Sequence, residues 1–335
     1  MTAIYYPDIS PRIQTPRTPE ISKSVLAESS PTKIYEEISV IKHLNKAKFP
    51  VYLICSKINK QNFAMKAFPY ENGHRHPYYQ NELRFASLQH ENVVKSLYFQ
   101  DSRKTRSKGV VSKISYKVME YAPYGDFHEF VTNCGSVINE KIARTYFKKL
   151  IEGLEYLHLH GVSHLDLKLE NLLLGEDFGL KIADFDLSYI EGDPQIISRG
   201  TKNYRAPELI QGRCRNPNAA DIYSAGILLF LFKSKGVLPH AENNLISGVN
   251  YSQLLHNNDP QFWIQHCRVQ KKEWAYFEKD FRDLFLQMTQ FDPEKRSTIE
   301  MIKKSRWYNG PCYTQDELRA RMNKLFKSSP LIFSE

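Results

Sequence analysis

The segment HLDLKLEN occupies residues 164–171, and the triplet DFD follows at residues 184–186. The first segment places the carboxylate of Asp166, the amine of Lys168 and the amide of Asn171 close together. Mg²⁺ is usually bound by one or two carboxylates together with phosphate oxygens. Asn171 and Asp184 could supply the ligands that come from the protein. Asp166 would then be free to accept a proton from an attacking hydroxyl group. Such a cluster can orient a hydroxyl, neutralise a phosphoryl group and hold a divalent cation.

The composition sets the class of protein. The chain has 335 residues, which predicts about two domain-sized units. Hydrophobic residues make up 41% of it, enough for real cores and too much for a disordered chain. The formal net charge is +9, but no run of Lys and Arg is long enough to indicate a nucleic-acid-binding arm. We therefore expect no nucleic-acid partner.

The cysteines and the apolar runs indicate the compartment. The five cysteines are scattered without a C-x-x-C pair, which is typical of reduced intracellular thiols. The N-terminus lacks the basic start and apolar core of a signal peptide. The longest apolar run, residues 227–232, is far shorter than the roughly 20 residues of a membrane-spanning helix. We expect a soluble cytoplasmic protein without a membrane partner, with the nucleus as the alternative compartment.

Residues 1–33 form a segment rich in Pro, Ser and Thr. It shows no helical or strand period, which predicts a disordered tail. Four of its hydroxyl side chains precede a proline: Ser10, Thr15, Thr18 and Ser30. They could be targets of proline-directed kinases or belong to an unmodified leader, and composition favours neither.

Residues 35–68 alternate in polarity and predict strands. Lys66 interrupts an apolar strand, so its amine should face a negative group. A helix around Glu82 that ends near His90 is predicted next.

Two further strands are predicted through residues 93–100 and 116–121. The segment between them is predicted as a loop, either solvated or bound to an acidic partner. Its basic residues are Arg103, Lys104, Arg106, Lys108 and Lys113.

After Gly125 the pattern becomes helical. One buried stripe is predicted from residues at helical spacing: Ile142, Tyr146, Leu150, Leu154 and Leu157. The pattern of residues 219–235 predicts a helix that is apolar on nearly all of its faces. Such a helix should be buried inside a helical lobe. A capping-box pattern at residues 314–317 opens a last helix, expected to dock through Leu318, Met322 and Leu325. Strands followed by helices indicate two lobes with a cleft between them.

The two opening motifs resemble H-R-D-L-x-x-x-N and D-F-G of the eukaryotic protein kinase superfamily. Other kinase-like fragments occur in the family's order: Ala64-Met65-Lys66, Glu82, Gly200-Thr201, Ala206-Pro207-Glu208, DIYSAG at residues 221–226, and Arg296. The resemblance implies an α+β, bilobal protein-kinase fold over residues 34–309. A small antiparallel β lobe with one main helix would cover residues 34–121, and a larger, mostly α-helical lobe residues 122–309. Residues 310–335 would form a C-terminal helical tail.

The resemblance also implies that the cleft binds ATP. Lys66 would hold the α- and β-phosphates and pair with Glu82, and Asp126 would reach the ribose. The adenine would contact the side chains or backbone of Val51, Ala64, Met119, Glu120, Ala122 and Leu173.

The same resemblance assigns the chemistry. Asp166 would be the catalytic base, Lys168 would steady the γ-phosphate, and Asn171 and Asp184 would bind Mg²⁺. Because the family places lysine at this position in Ser/Thr kinases, Lys168 favours a Ser/Thr acceptor.

Substrate docking is implied for Thr201 and Glu170, and Thr201 supports the same Ser/Thr choice. Glu170 and Asp126 could also attract a basic residue on the N-terminal side of the acceptor. Asp221 would anchor the catalytic loop, and Arg296 would pair with Glu208.

The glycine-rich loop of the family is missing. No glycine occurs in residues 35–70, and the family's glycine positions hold Leu44, Lys46 and Phe49. A missing Cβ lets backbone N–H groups close over phosphates, and Pro50 removes one more donor. Lys46 and Lys48 could restore some attraction as point charges. We expect weakened nucleotide binding or a differently shaped lid.

Two positions of the opening motifs also depart from the family. Asp186 replaces a glycine at a place that often needs an unusual backbone conformation. Its carboxylate could strengthen cation binding or raise a neighbour's pKa. Leu165 replaces the arginine that clamps a phosphorylated activation loop, as in non-RD kinases, and Ile197 occupies the usual phosphosite. This predicts a loop ordered by apolar packing without phosphorylation control, with Ser198 as the one exception to test.

Two functions follow from these features. The first is a monomeric Ser/Thr protein kinase that uses ATP and Mg²⁺ on protein substrates. The alternative is a pseudokinase, a binding or scaffold module with weak or no phosphotransfer, which the missing glycines and Asp186 favour. Phosphorylation of a small molecule fits poorly with the docking segment around Thr201 and Glu208. We favour the enzyme because the groups hardest to replace are present.

Overall fold

The structure is a computed structural model that describes residues 32–44, 48–107, 110–135, 138–194, 196, 200–239, 255, 257 and 260–328. Several expectations lie outside the described residues. They concern nearly all of the N-terminal tail with its four Ser/Thr-Pro sites, residues 329–335 at the C-terminus, and Lys46, Lys108, Ile197 and Ser198.

The first lobe is built on a five-stranded antiparallel sheet in the order β1-β2-β3-β5-β4. Its strands are β1 (Ile38–His43), β2 (Val51–Ser56), β3 (Asn62–Pro69), β4 (Ser96–Ser107) and β5 (Val110–Met119). Side chains alternate across the central strand β3. Phe63 and Met65 pack into one apolar cluster, whereas Ala64 packs into another that includes Ala183 of the second lobe. Lys66 therefore lies on the face of the sheet that meets the second lobe.

The main helix of this lobe is α2 (Pro77–Arg84). It begins with proline in its first turn, and the His76 ring accepts a hydrogen bond from the N–H of Tyr78 at 3.3 Å. The helix ends at Arg84, earlier than predicted. Phe85 and Leu88 lie beyond the helix but remain buried, and the N–H of Leu88 donates to the carbonyl of Phe85 at 3.2 Å.

The prediction of a strand from Tyr35 onwards is wrong for its first residues. Tyr35 lies in the one-turn helix α1 (Lys33–Glu36), and β1 begins only at Ile38. The Tyr35 ring packs edge-on against Phe63 at 5.3 Å and stacks on Tyr98 at 5.7 Å. Aromatic contacts with the sheet thus replace strand pairing at this residue.

The basic loop predicted in this lobe is also wrong. The segment is the paired end of β4 and β5, with Arg103 opposite Ile114 and Lys104 opposite Lys113. An irregularity in the register precedes Arg103, and Ser102 there has φ +66°. Such a bulge bends the strand and increases its local twist, and the pairing resumes beyond it at Arg103.

The second lobe is helical. Its helices are α3 (Phe127–Cys134), α4 (Glu140–Leu159), α5 (Pro207–Ile210), α6 (Pro217–Ser234), α7 (Pro260–Val269), α8 (Lys279–Met288) and α9 (Ile299–Lys304). The predicted stripe of α4 is confirmed, because all five of its residues are buried. The predicted burial of α6 is also confirmed, since every residue from 219 to 234 is buried.

Two short strand pairs frame the opening motifs. Strand β6 (Val162–Ser163) pairs with β9 (Tyr189–Ile190), and β7 (Leu172–Leu174) pairs with β8 (Leu180–Ile182). The HLDLKLEN segment therefore runs between β6 and β7, and DFD lies between β8 and β9. This pairing brings motifs separated in sequence to one edge of the cleft.

The last helix, α10 (Gln315–Ser328), packs on the second lobe. The predicted capping box is present: the N–H of Thr314 donates to Glu317 Oε2 at 2.9 Å, and the N–H of Glu317 donates to Thr314 Oγ1 at 3.3 Å. The three side chains predicted to dock, Leu318, Met322 and Leu325, are buried.

These elements confirm the predicted α+β architecture of a small antiparallel lobe followed by a larger helical lobe. Among the described helices, none combines the length and the apolar character needed to cross a membrane.

Candidate active site

The catalytic loop (residues 164–171) is anchored by Asp221 of α6, which is completely buried. Its carboxylate accepts hydrogen bonds from the N–H groups of His164 and Leu165, both at 2.8 Å. Leu165 has φ +62°, an unfavourable conformation for a leucine that the two bonds help to hold. The predicted anchoring role of Asp221 is confirmed.

His164 links this loop to the DFD triplet, a role the sequence had not indicated. Its Nδ1 accepts the N–H of Asp166 at 3.2 Å, so its Nε2 carries the proton and donates to the carbonyl of Ala183 at 2.9 Å. The ring is fully buried. Asp166 and the residue before Asp184 are therefore fixed relative to each other through one imidazole.

Asp166 is the centre of a polar triangle. Lys168 Nζ donates to its Oδ2 at 2.8 Å, and Thr201 Oγ1 donates to its Oδ1 at 2.6 Å. Lys168 Nζ also lies 3.2 Å from Thr201 Oγ1. Burial favours the neutral amine of Lys168, but the adjacent Asp166 raises its pKa above the usual value, so the lysine stays charged. Asn171 donates to the backbone carbonyl of Asp166 at 2.9 Å.

Gly200 brings Thr201 to this triangle. It has φ +62°, and a Cβ built there would lie 2.6 Å from the carbonyl oxygen of Leu165. Only glycine allows residue 200 to approach the catalytic loop so closely. The segment between the DFD triplet and α5, residues 187–206, is called the activation segment; the structure describes it except at 195 and 197–199.

Lys66 joins the two lobes. Its Nζ donates to Glu82 Oε1 at 2.8 Å and to Asp184 Oδ1 at 2.5 Å, and it lies 3.3 Å from Asp186 Oδ2. Lys66 and Glu82 are both buried. The negative group predicted to face this lysine is thus a set of three carboxylates.

The carboxylates of the DFD triplet differ in their pKa. Burial opposes ionisation of Asp184, but the ion pair with Lys66 outweighs it and lowers the pKa to about 2. Burial and the neighbouring charge of Asp184 raise the pKa of Asp186 to about 7. The unusual backbone conformation expected at Asp186 falls on Asp184 instead, with φ +69°.

A second lysine, Lys117, also binds Glu82, and sequence reasoning missed it. Its Nζ donates to Glu82 Oε2 at 2.6 Å, and its side chain is buried. The available signal was the one used for Lys66, an amine that interrupts an apolar strand.

The side chains predicted around the adenine come together. Ala64 and Met119 share one apolar cluster with Val94 and Ala183, and the partly buried side chains packed against it are Leu44, Val51, Tyr121 and Leu173. The N–H of Glu120 is bonded to the carbonyl of Lys95 at 3.1 Å, and Ala122 follows in the same extended connection between the lobes. A purine here would use the carbonyl of Glu120 and backbone groups of Ala122.

Asp126 and Glu170 lie on the second lobe. Asp126 caps α3, since its Oδ1 accepts the N–H of Glu129 at 2.8 Å. Burial raises the pKa of Asp126, and the charge of Glu170 adds to this shift. Glu170 itself is exposed.

Phe49 is a packed residue of the lid segment (residues 44–50, of which the structure describes 44 and 48–50). Phe49 is 4% exposed and belongs to an aromatic cluster with Phe68 and Tyr79. Its ring centroid lies 4.9 Å from that of Phe68 and 5.7 Å from Lys66 Nζ. A packed side chain therefore occupies a position where the family pattern has a glycine.

Helix α2 also holds the segment after DFD. Asn81 Nδ2 donates to the carbonyls of Asp186 at 3.0 Å and Ser188 at 2.9 Å. Arg84 forms two hydrogen bonds with Asp193, at 3.0 and 2.6 Å. These polar contacts were not predicted, because the sequence gives no sign that α2 and residue 193 meet.

Comparison with known proteins identifies the family. Residues 47–308 match the family model of the protein kinase domain. The chain belongs to the protein kinase family. The predicted resemblance is confirmed.

The curated proteins to which this chain is similar include two plant protein kinases. CBL-interacting protein kinase 11 of Oryza sativa subsp. japonica is 35% identical over 205 residues, which cover 60% of this chain and 38% of that protein. CBL-interacting serine/threonine-protein kinase 8 of Arabidopsis thaliana is 33% identical over 199 residues, or 58% of this chain and 40% of that protein. The match thus spans about two fifths of these relatives.

Proposed function

We propose that this chain is a Ser/Thr protein kinase that transfers the γ-phosphate of ATP to hydroxyl groups of protein substrates. The observation that carries the proposal is the position of Lys66, which bridges Glu82 and Asp184 across the cleft. This links the small lobe to the DFD triplet. Membership of the protein kinase family supports the proposal.

Asp166 is the proposed catalytic base. Lys168 and Thr201 each bind one oxygen of its carboxylate, so the group has a fixed orientation. It would accept the proton of a substrate hydroxyl, while the charged amine of Lys168 would stabilise the transferred phosphoryl oxygens. The transfer itself depends mainly on such positioning and electrostatics.

The residues present fit ATP and Mg²⁺. The apolar cluster around Ala64 and Met119 suits a purine, and Lys66 suits the phosphates. Asn171 uses its amide nitrogen on Asp166, so its side-chain oxygen would be the metal ligand together with Asp184. Mg²⁺, when bound, would neutralise charge on the phosphates.

The acceptor is proposed to be Ser or Thr, with a basic residue on its N-terminal side. Lys168 and Thr201 support the first part, and the carboxylates of Asp126 and Glu170 on the second lobe support the second. Attraction of a cation by two carboxylates would add specificity more than affinity.

We also propose that activation needs no phosphate on the activation loop. Leu165 is buried in the core and offers no positive charge to a phosphate. Arg84 and Asp193 already form an ion pair between α2 and the activation segment. The carboxylate of Asp193 could thus fill the place of a phosphate.

Further parts of the proposal concern the chain as a whole. It would act as a monomer in the cytoplasm, and its five free cysteines support the cytoplasmic location. The kinase domain would cover residues 34–309, and the tail helix would complete it.

The alternative function is a pseudokinase. The burial of Phe49 in the lid segment favours it, because a packed side chain at this position hinders the close approach of backbone N–H groups to a phosphate. Such a module would bind nucleotide or a partner without transferring phosphate.

One assay separates the two functions. The purified chain is incubated with Mg·ATP and a generic basic protein, beside Asp184→Ala and a matched control, Asp283→Ala, which removes an exposed carboxylate paired with Lys279. The enzyme is supported if the unaltered chain and the control both transfer phosphate, and if the rate of transfer falls by about 10³-fold or more in Asp184→Ala. A Mg·ATP-dependent rise in melting temperature without transfer supports the pseudokinase.

A further inference from the structure

The carboxylate of Glu82 is shared between two lysines, one on each oxygen. Lys66 Nζ lies 2.8 Å from Oε1, and Lys117 Nζ lies 2.6 Å from Oε2. The two lysines are register partners on the adjacent strands β3 and β5. All three residues are at most 5% exposed.

Two like charges side by side on a sheet are unfavourable unless something compensates them. Glu82 supplies that compensation, and a buried carboxylate in turn needs a cation that stays in place. The charge of Lys66 does not compensate Glu82 exclusively, because Lys66 also contacts Asp184 and Asp186. By contrast, Glu82 is the one carboxylate, among the described residues, that forms a salt bridge with Lys117.

We propose that Lys117 is a positioning residue that holds Glu82, and with it helix α2, in the catalytic arrangement whether or not Lys66 remains bound to Glu82. Lys66 can then turn towards phosphate without leaving a buried carboxylate unpaired. The benefit to catalysis rests on the proposed kinase function, whereas the effect on α2 does not.

Two observations support this assignment. Burial favours the neutral acid, yet the pKa of Glu82 lies below its usual value because of Lys117 first and Lys66 second. Helix α2 also carries Asn81, which binds the carbonyls of Asp186 and Ser188. A shift of Glu82 would therefore move the segment that follows Asp184.

The test compares Lys117→Met, Lys66→Met and the double variant. Methionine keeps the length of the lysine stem and removes the charge. Lys303→Met is the matched control, since it breaks the ion pair of Lys303 with Glu155 in the other lobe. Lys117→Arg restores the charge. Amide hydrogen exchange of α2, kcat and the KM for ATP are measured on the full chain.

Lys117→Met is expected to speed exchange in α2 by about tenfold or more, while Lys66→Met leaves it nearly unchanged. The double variant should open α2 further than Lys117→Met alone. In Lys117→Met, kcat should fall more than KM rises, and Lys117→Arg should recover most of it. If Lys117→Met does not fold, Lys117→Gln, which keeps a donor for Glu82, takes its place.

The proposal is overturned if α2 exchange in Lys117→Met equals that of Lys303→Met, or if exchange rises uniformly over the whole small lobe. It is also overturned if Lys66→Met opens α2 as much as Lys117→Met does. Should the unaltered chain transfer no phosphate, the kinase function fails, and the exchange results alone decide the role of Lys117.

Discussion

The two edges of the active-site cleft are built by different forces. The catalytic loop (residues 164–171) is held by buried, directional hydrogen bonds from Asp221 and His164. The lid segment (residues 44–50) is held at Phe49 by aromatic packing, and residues 45–47 lie outside the described residues. Hydrogen bonds fix the direction of a group, whereas packing fixes mainly its volume.

This difference explains which departures from the kinase pattern the fold can accept. A base and a metal ligand work only in defined directions, so Asp166 and Asp184 are kept within a bonded network. The cover over the phosphates can change its chemistry if another group closes the same space. The Phe49 ring lies beside Lys66, with its centroid 5.7 Å from the amine.

Phe49→Ala tests the packed side of this comparison and should have the largest effect. Removing a ring that is 4% exposed should lower the free energy of unfolding by about 3 to 5 kcal/mol, because a cavity remains beside Phe68 and Tyr79. Denaturant titration measures it. Phe291→Ala, which truncates a ring that is 49% exposed, is the control. Equal losses in the two variants would show that Phe49 does not hold the lid segment.

The sequence predicted the catalytic side better than the lid, for a physical reason. Residues such as Asp166, Lys168 and Asn171 lie within one short segment, so their proximity follows from chain connectivity. The buried stripe of α4 and the apolar helix α6 were also predictable, since periodicity reports burial directly.

Contacts between distant segments could not be read in this way. The apolar strand around Lys117 indicates a negative partner but does not identify it as Glu82. Nothing local indicates that Arg84 meets Asp193, because both pairs depend on how the elements pack. The charged hairpin of β4 and β5 was wrongly predicted to be a loop. Its many basic residues indicated a loop more strongly than its weak alternation of polar and apolar residues indicated strands. At the DFD triplet the position of the unusual φ was misassigned, because it depends on the bonds around Asp184.

Asp186→Asn tests the electrostatics of the bonded side. The pKa of Asp186 is raised to about 7 in the folded chain, from a usual value of 3.8. The folded state therefore binds more protons than the unfolded state between those values, and its stability falls as pH rises through this window. Asparagine removes that loss, so the variant should gain stability relative to the unaltered chain as pH rises, by up to ~4 kcal/mol.

Denaturant titrations from pH 4.5 to 8, with EDTA to exclude metal ions, measure this difference. Asp283→Asn, at an exposed ion pair, should show a difference that stays flat with pH. A flat profile for Asp186→Asn as well would mean that Asp186 ionises normally beside Lys66.

Gly200→Ala tests the contact between the activation segment and the catalytic loop, and Gly212→Ala is its matched control. Both glycines have nearly the same positive φ, +62° and +65°, so each variant should lose about 1 to 2 kcal/mol from backbone strain alone. A Cβ at residue 212 meets no atom within 4 Å, whereas at residue 200 it would lie 2.6 Å from the Leu165 carbonyl. Gly200→Ala should therefore cost about 1 kcal/mol more, and it should reduce kcat because Thr201 moves away from Asp166. If the two variants are equally stable and equally active, the catalytic loop can move to accommodate the new Cβ. The contrast between a hydrogen-bonded edge and a packed edge of the cleft would then not hold at Gly200.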